Sequence, residues 1–488
     1  MLFPTIQFGI FFPIVFVASW LLRPRPKVWK LAMVVASYVF YAFAFKGGWL
    51  TWTKWTYPGL LVLVTVVNQV LVVGIFEART QVAKKAWLAV AVVADVGCLG
   101  YFKYYNFFRD SVGLHFLWAK QVFLPVAISF FIFQALSYVI DAYRDDLRPT
   151  TLLDFAMYLS FFPHLVAGPI VRAREFLPQL RQRPDPRHID ASRAFRLIIA
   201  GMFKKVVVAD KLAAWIVDPV FANPKGHTAL ENLTSVYAYA IQIYADFSGY
   251  TDIAIGLALL LGIRFPVNFD APYTATSMQE FWRRWHMSLS RWLRDYLYIS
   301  LGGNRGSNLP GLRRVLTPTI ASYLNLMLVM LIGGLWHGAN WKFVVWGAIH
   351  GLALSVERVL HDRRVARGYA PAASGTFGAI GRWLITFHVV CFAWIFFRAQ
   401  DFTKATDIIG QIATAWSHGA GPLVTMSVAL VIAAMLLSQF VPEWTVEAVQ
   451  ARFSRLPLGL QGGTLAVCFF LIEHLGPIGV APFIYFQF

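Results

Sequence analysis

Charge is scarce in this chain. Only 14% of its 488 residues are Asp, Glu, Lys or Arg, against about 25% in an ordinary soluble domain. Together with a mean hydropathy of +0.57, that scarcity excludes a soluble globular protein. Cysteine is scarcer still. Cys98, Cys391 and Cys468 stand far apart in apolar surroundings, which excludes a disulfide framework or a cysteine metal cluster and reads as core packing. A basic leader with a small-residue cleavage site is also missing. "MLFPTIQFGIFFPIVFVASWLL" (1–22) reads as a retained first span, not a cleaved signal. There is no soluble domain, no low-complexity tract and no clear repeat. The most linker-like stretch is "DRRVARGYAPAASGTFGAI" (362–380).

Apolar residues are what the chain has instead, at 58%. A spanning helix needs about 20 mostly apolar residues. Candidates lie at 6–22, 28–45, 58–76, 86–102, 121–140, 195–217, 232–262, 316–336, 341–360, 380–397, 422–440 and 463–481. This predicts an all-α polytopic membrane protein with eleven or twelve spans. The stretch 153–170 carries Pro163, Gly168 and Pro169. It reads as re-entrant or interfacial, because irregular backbone at membrane depth needs protein or a water-filled cavity around it.

Basic residues outnumber acidic ones, 43 to 25, for a formal charge of +18. In a soluble protein that surplus points to nucleic acid. In an apolar chain it is the Lys/Arg bias of cytoplasmic loops, and no nucleic-acid partner is expected. Arg23, Arg25, Lys27 and Lys30 place the first loop inside and the N-terminus outside. Alternation then puts 77–85, 141–194 and 263–315 inside, each basic, and leaves the C-terminal side open.

Three segments carry candidate chemistry. In "QEFWRRWHMSLSRWLRDYLYISLGGNR" (279–305), Phe281, Trp282, Trp285, Leu289, Trp292, Leu293, Tyr296 and Leu297 share a face at helical spacing, opposite Arg283, Arg284, Arg291, Arg294 and Asp295. That pattern predicts one interfacial amphipathic helix over 279–300. It is either an ordinary anchor or an arginine surface for a phosphate-bearing group. His286 falls at the edge between the faces. Gly302, Gly303 and Asn304 end the helix. In 244–273, Asp246 and Asp252 sit in an apolar span, where charges usually find a partner or mark a functional site.

The third segment is "GGLWHGANWKFVVWGAIHG" (333–351). Gly333, Gly334, Gly338 and Asn340 weaken a continuous helix. It reads as a hairpin between spans or as a broken helix lining a cavity. His337 and His350 are 13 residues apart, about 220° around a single helix. They would not share a face, and no Cys, Asp or Glu cluster supplies further ligands, so no metal site is expected. Packing and base catalysis both remain open for His337 on composition alone.

Taken together, the strings at 160–180, 246–273, 280–305, 333–351 and the terminal "PFIYFQF" (482–488) resemble the membrane-bound O-acyltransferase (MBOAT) family. They are most similar to its bacterial branch, which includes alginate O-acetylation and teichoic-acid D-alanylation membrane proteins. The resemblance covers about two thirds of the chain; residues 1–150 match only as hydrophobic spans. It implies a ring of helices around a central funnel and channel, built as a single domain. Residues 1–150 would be peripheral spans, 151–360 the catalytic core and 361–488 C-terminal spans. It makes His337, in "WHG", the essential histidine and His286, in "RRWH", the second one. The donor would be a cytoplasmic acyl thioester, on coenzyme A or a carrier protein, bound as substrate with no permanent cofactor. The acceptor would be a hydroxyl reached from the other side.

Acyl transfer from a thioester to a hydroxyl needs a base, and histidine is the usual choice. His337 is therefore assigned as base, with His286 positioning the donor or polarising its carbonyl. Trp336, Asn340, Asp246, Trp285, Arg283, Arg284 and Asn304 are assigned as supporting or donor-binding residues. His350 is assigned a structural role. An acyl-histidine relay is the alternative to direct transfer.

The expected function is O-acetylation of an extracytoplasmic polysaccharide of the alginate type, in the bacterial plasma membrane. An extracytoplasmic acetyltransferase and polysaccharide machinery would be the partners. D-alanyl transfer towards teichoic acid is the second reading. A transporter is the third, although the chain lacks the two related halves that architecture predicts. A non-catalytic scaffold is the fourth.

Overall fold

A computed structural model describes residues 3–44, 52–113, 122–166, 168–182, 184–306, 308, 316–368, 375–416, 419, 421–477 and 483–484. The described residues are helical, with no strand among them. Two compact units emerge: residues 1–201 with 250–266, and residues 202–249 with 267–488.

In the first unit the helix Ile6–Leu22 starts at Thr5, whose hydroxyl accepts from the Phe8 amide. Its residues Ile6, Ile10, Ile14, Val17 and Leu21 are exposed. They recur every three or four positions, so one stripe faces outward, where lipid takes the place of a protein core. The other side packs Phe8 against Phe40 and Phe162, at ring distances of 6.0 and 6.3 Å. Arg23 is not the free loop charge its sequence position suggests. It is buried, its guanidinium lies 3.8 Å from the Trp29 ring, and it donates to the Leu261 carbonyl at 3.3 Å. Trp20 donates to Leu260 at 3.1 Å. Both close the end of Ala229–Leu260, whose last carbonyls have no partner within the helix.

The stretch 153–170 is broken, as its prolines and glycine require. Leu152–Ser160 has 9 residues, roughly 14 Å of helix, too short to cross a bilayer. Phe161 interrupts it, and Phe162–Leu165 adds one further turn.

The second unit is organised around a helical hairpin, Pro318–His337 and Trp341–Ala366. Glycine makes the close approach possible. A Cβ on Gly334 would strike the Phe343 carbonyl, and one on Gly347 would strike the Met330 carbonyl. Backbone cannot rotate away as a side chain can. Gly347→Ala is therefore expected to destabilise the protein by about 1–3 kcal/mol, read as a lower thermal midpoint in detergent. An unchanged midpoint would show that the hairpin tolerates separation.

Among the described residues, five helices are long and apolar enough to cross a membrane: Lys54–Glu77, Pro318–His337, Trp341–Ala366, Thr376–Arg398 and Leu458–Leu475. Met426–Ser438 and Glu443–Ser454 would together make a sixth, but they meet at 94°. Ile6–Leu22 and Ile128–Tyr143 are apolar but shorter, and 191–222 runs through π turns at Phe203–Ala209 and Ala213–Val217. The cysteines differ from the expectation of common core packing. All three are free thiols, but only Cys391 is buried, while Cys98 and Cys468 are half-buried.

Candidate active site

The helix Pro318–His337 stops at the histidine because the next residues turn the chain. Gly338 is extended, and a side chain there would run into the Phe343 ring. Asn340 then caps the next helix, its side chain accepting from the Lys342 amide at 3.1 Å. Lys342 in turn donates to the Ala399 carbonyl at 2.7 Å, tying the hairpin to the end of Thr376–Arg398. Asn340 thus shapes the turn that presents His337.

The His337 ring is held edge-on by Trp336, Trp346 and Phe397, at centroid distances of 5.1, 4.9 and 5.2 Å. Trp336 also contacts His286, at 6.1 Å. The two histidines singled out from the sequence therefore flank one indole. His337 keeps 5% of its surface exposed, while His286 and His350 keep none.

The predicted continuous helix over 279–300 does not exist. Met278–Arg284 ends, His286 takes a left-handed conformation (φ 41°, ψ 54°), and Met287–Trp292 begins a new helix. Backbone pairing explains the break. Asp270 donates to the Arg284 carbonyl at 3.0 Å, and Met287 donates to the Asn268 carbonyl at 2.9 Å. These bonds to 268–270 replace helix bonds at 284–287. They turn His286 inward, away from the edge where helical spacing placed it. Its Nδ1 lies 3.2 Å from Asn268 Oδ1, and Phe247 packs on the ring at 4.6 Å. Burial pushes the imidazole down to about 3, so it is neutral near pH 7. A non-glycine residue in this backbone region carries strain that surrounding structure must hold in place.

The other expected residues separate into distinct roles. Trp285 stacks on Phe281 at 5.6 Å and meets Trp394 at 5.1 Å, as part of the aromatic core. Asp246 finds its partner in Lys205 at 2.7 Å and accepts from the Ile484 amide at 2.8 Å. Lys205 also binds Asp210 at 2.7 Å. Asp252 is half-buried. Arg284 is committed to Glu280 and Asp270, at 2.9 and 3.5 Å, and Arg283 is exposed. Asn304 accepts from Tyr298 at 2.6 Å and from Arg358 at 3.0 Å, fastening the 303–306 turn. Of the terminal "PFIYFQF" only Phe483 and Ile484 lie within the described residues, as does none of 369–374 in the linker-like stretch. Phe483 packs on Phe247 at 5.6 Å.

His350 corrects an expectation. The 220° angle assumed one helix, but the hairpin places the two histidines on different helices. Both pack on Trp346, His337 at 4.9 Å and His350 at 4.6 Å. His350 is enclosed by Phe281, Trp282 and Trp394 as well. Sequence reasoning missed Lys205, Asn268, Ser288 and Trp346. The rule that flagged Asp246, a charge inside an apolar run, would also have flagged Lys205.

The model of the membrane-bound O-acyltransferase family matches residues 28–399. The probable alginate O-acetylase AlgI of Azotobacter vinelandii is 41% identical over 415 residues, covering 83% of this chain and 76% of that protein. The peptidoglycan O-acetyltransferase of Helicobacter pylori is 37% identical over 435 residues, 82% and 77% of the two chains. The teichoic acid D-alanyltransferase of Streptococcus thermophilus is 27% identical over 327 residues, 61% and 78%. The strings around His286 and His337 fall inside the matched region, on a helical, multi-pass membrane scaffold, and the chain belongs to the membrane-bound O-acyltransferase family.

Proposed function

We propose that this protein moves acetyl groups from a cytoplasmic thioester to a hydroxyl of an extracytoplasmic polysaccharide of the alginate type. The thioester is carried by coenzyme A or a carrier protein. The observation that carries the reading is His337 at the end of a broken helix. It is held edge-on by three aromatic rings, and of the three clustered histidines it keeps the most exposed surface. The acetyl preference is supported by identities of 41% and 37% to O-acetylating relatives, against 27% to the D-alanyltransferase.

The reaction needs one proton moved twice. The acceptor oxygen attacks the thioester carbonyl carbon while His337 takes the hydroxyl proton. The new C–O bond forms, the C–S bond breaks, and the imidazolium returns the proton to the departing sulfur. An imidazole suits both steps because its ordinary pKa lies near neutrality. In this reading the protein sits in the bacterial plasma membrane with its N-terminus outside, and an extracytoplasmic acetyltransferase and polysaccharide machinery are its partners.

Mass analysis of surface glycans from cells carrying the wild type or His337→Ala tests the assignment. Acetyl groups present in the first and absent in the second are expected. D-alanyl groups that disappear instead would establish the second reading. Glycans identical in both would remove His337 from the reaction.

A further inference from the structure

The bonds around His286 decide which of its nitrogens is free, and that restricts what it can bind. Asn268 Oδ1 accepts from the Ser288 amide at 3.0 Å and from the Ser288 hydroxyl at 2.8 Å. A backbone N–H only donates, so the side-chain atom facing it is the oxygen and not the amide nitrogen. His286 Nδ1 lies 3.2 Å from that same oxygen; the Ser288 hydroxyl is farther from it, at 3.5 Å, and gives its hydrogen to Asn268 at 2.8 Å. An oxygen offers no proton, so Nδ1 carries the hydrogen and donates it. In a neutral imidazole the other nitrogen, Nε2, then holds a lone pair.

That Nε2 is buried and has no hydrogen-bond partner among the described residues, within a residue of 0% exposure. An unsatisfied buried acceptor costs about 1–3 kcal/mol, and the left-handed backbone at His286 adds strain. The rings against it, Phe247, Phe269 and Trp336, offer no charge. The titratable groups beyond them are His337 past Trp336, and Asp246 beside Phe247, already bound to Lys205.

We propose that Asn268, fixed by Ser288, is a positioning residue that locks His286 in the Nδ1–H tautomer and presents Nε2 as an acceptor for a substrate N–H or O–H. This rests on the acyl-transfer reading of the same site and narrows it. The acetyl carbonyl offers only lone pairs, so of the two roles expected of His286 this tautomer leaves positioning the donor and not polarising its carbonyl. Two substrate groups have the required chemistry: an amide N–H in the arm that carries the thioester, or a hydroxyl of the acceptor sugar.

The experiment compares wild type, Asn268→Asp and Asn268→Leu in membrane vesicles across pH, with protein abundance measured for each. The supplied donors are the acetyl thioester of N-acetylcysteamine and the same thioester with an ester oxygen in place of its amide N–H. Asn268→Leu is expected to lower transfer by about 10- to 100-fold, the usual cost of losing a partner that orients a functional histidine. Asn268→Asp still accepts from Nδ1–H. It should restore transfer at high pH and create an acid limb, because a carboxylate beside the imidazole raises its pKa and protonation removes the acceptor.

If Asn268→Leu also erases the wild-type preference for the N–H donor, the thioester arm is the ligand. If transfer falls and that preference is unchanged, the hydroxyl is. Wild-type transfer in Asn268→Leu overturns the proposal. So does equal loss in Asp and Leu variants with no new acid limb, which is the result a purely structural asparagine gives. His337→Ala, run alongside, separates the two ideas. If it transfers normally, the function reading fails whatever Asn268 does.

Discussion

His337→Ala is expected to lower acetyl transfer by about 100- to 10,000-fold, the range a positioned general base contributes. The loss should appear in kcat rather than in the donor KM, because the proton moves only as the bond forms. The ring sits between Trp336, Trp346 and Phe397, so truncation also removes packing. His337→Gln keeps more of the volume and cannot serve as a base. Equal loss in both variants, at wild-type membrane abundance, assigns the effect to chemistry. Recovery of transfer in His337→Gln would show that the position needs bulk and not a base.

Lys205→Met is expected to have the largest effect on stability. The ammonium lies 2.7 Å from Asp210 and 2.7 Å from Asp246, and all three side chains are at most 5% exposed. Removing one partner of a buried ion pair leaves uncompensated charge, at a cost of about 3–5 kcal/mol. Here two carboxylates would lose the cation they share. The expected readout is a large drop in thermal midpoint and in membrane abundance. Neutralising the carboxylates as well, with Asp210→Asn and Asp246→Asn, should recover much of the loss, since replacing a whole buried cluster is far cheaper than breaking it. A triple variant as unstable as Lys205→Met would mean that charge is not the reason for the loss. Asp246 also receives the Ile484 amide, so the same substitution is expected to loosen the described end of the chain.

Composition and period were enough to specify a helical membrane protein. Apolar runs of spanning length and scarce charge leave few other ways to satisfy the backbone. The outward stripe Ile6, Ile10, Ile14, Val17 and Leu21 follows directly from its spacing. Candidate residues were legible where chemistry is unusual for its surroundings: a histidine among glycines and tryptophans at 337, a carboxylate in an apolar run at 246. Their partners were not legible. Lys205 reaches Asp246 because a helix interrupted by π turns carries it there, and local pattern does not encode that contact.

The break at His286 shows the same limit. Residues 279–300 have good helical amphipathicity, so pattern alone predicts one helix. The helix breaks because 268–270 takes the backbone bonds that 284–287 would otherwise spend internally, and propensity cannot foresee a competitor from another segment. Likewise, the angle of about 220° between His337 and His350 holds for a single helix, which the turn at 338–340 does not permit. The sequence by itself determined the fold class, the membrane setting and the histidines worth testing, because those depend on composition, local spacing and motif. Only the tertiary structure decided that His286 and His337 share Trp336, that Lys205 holds Asp246, and that Asn268 lies against His286. Those depend on hydrogen bonds and ring contacts between residues distant in the chain.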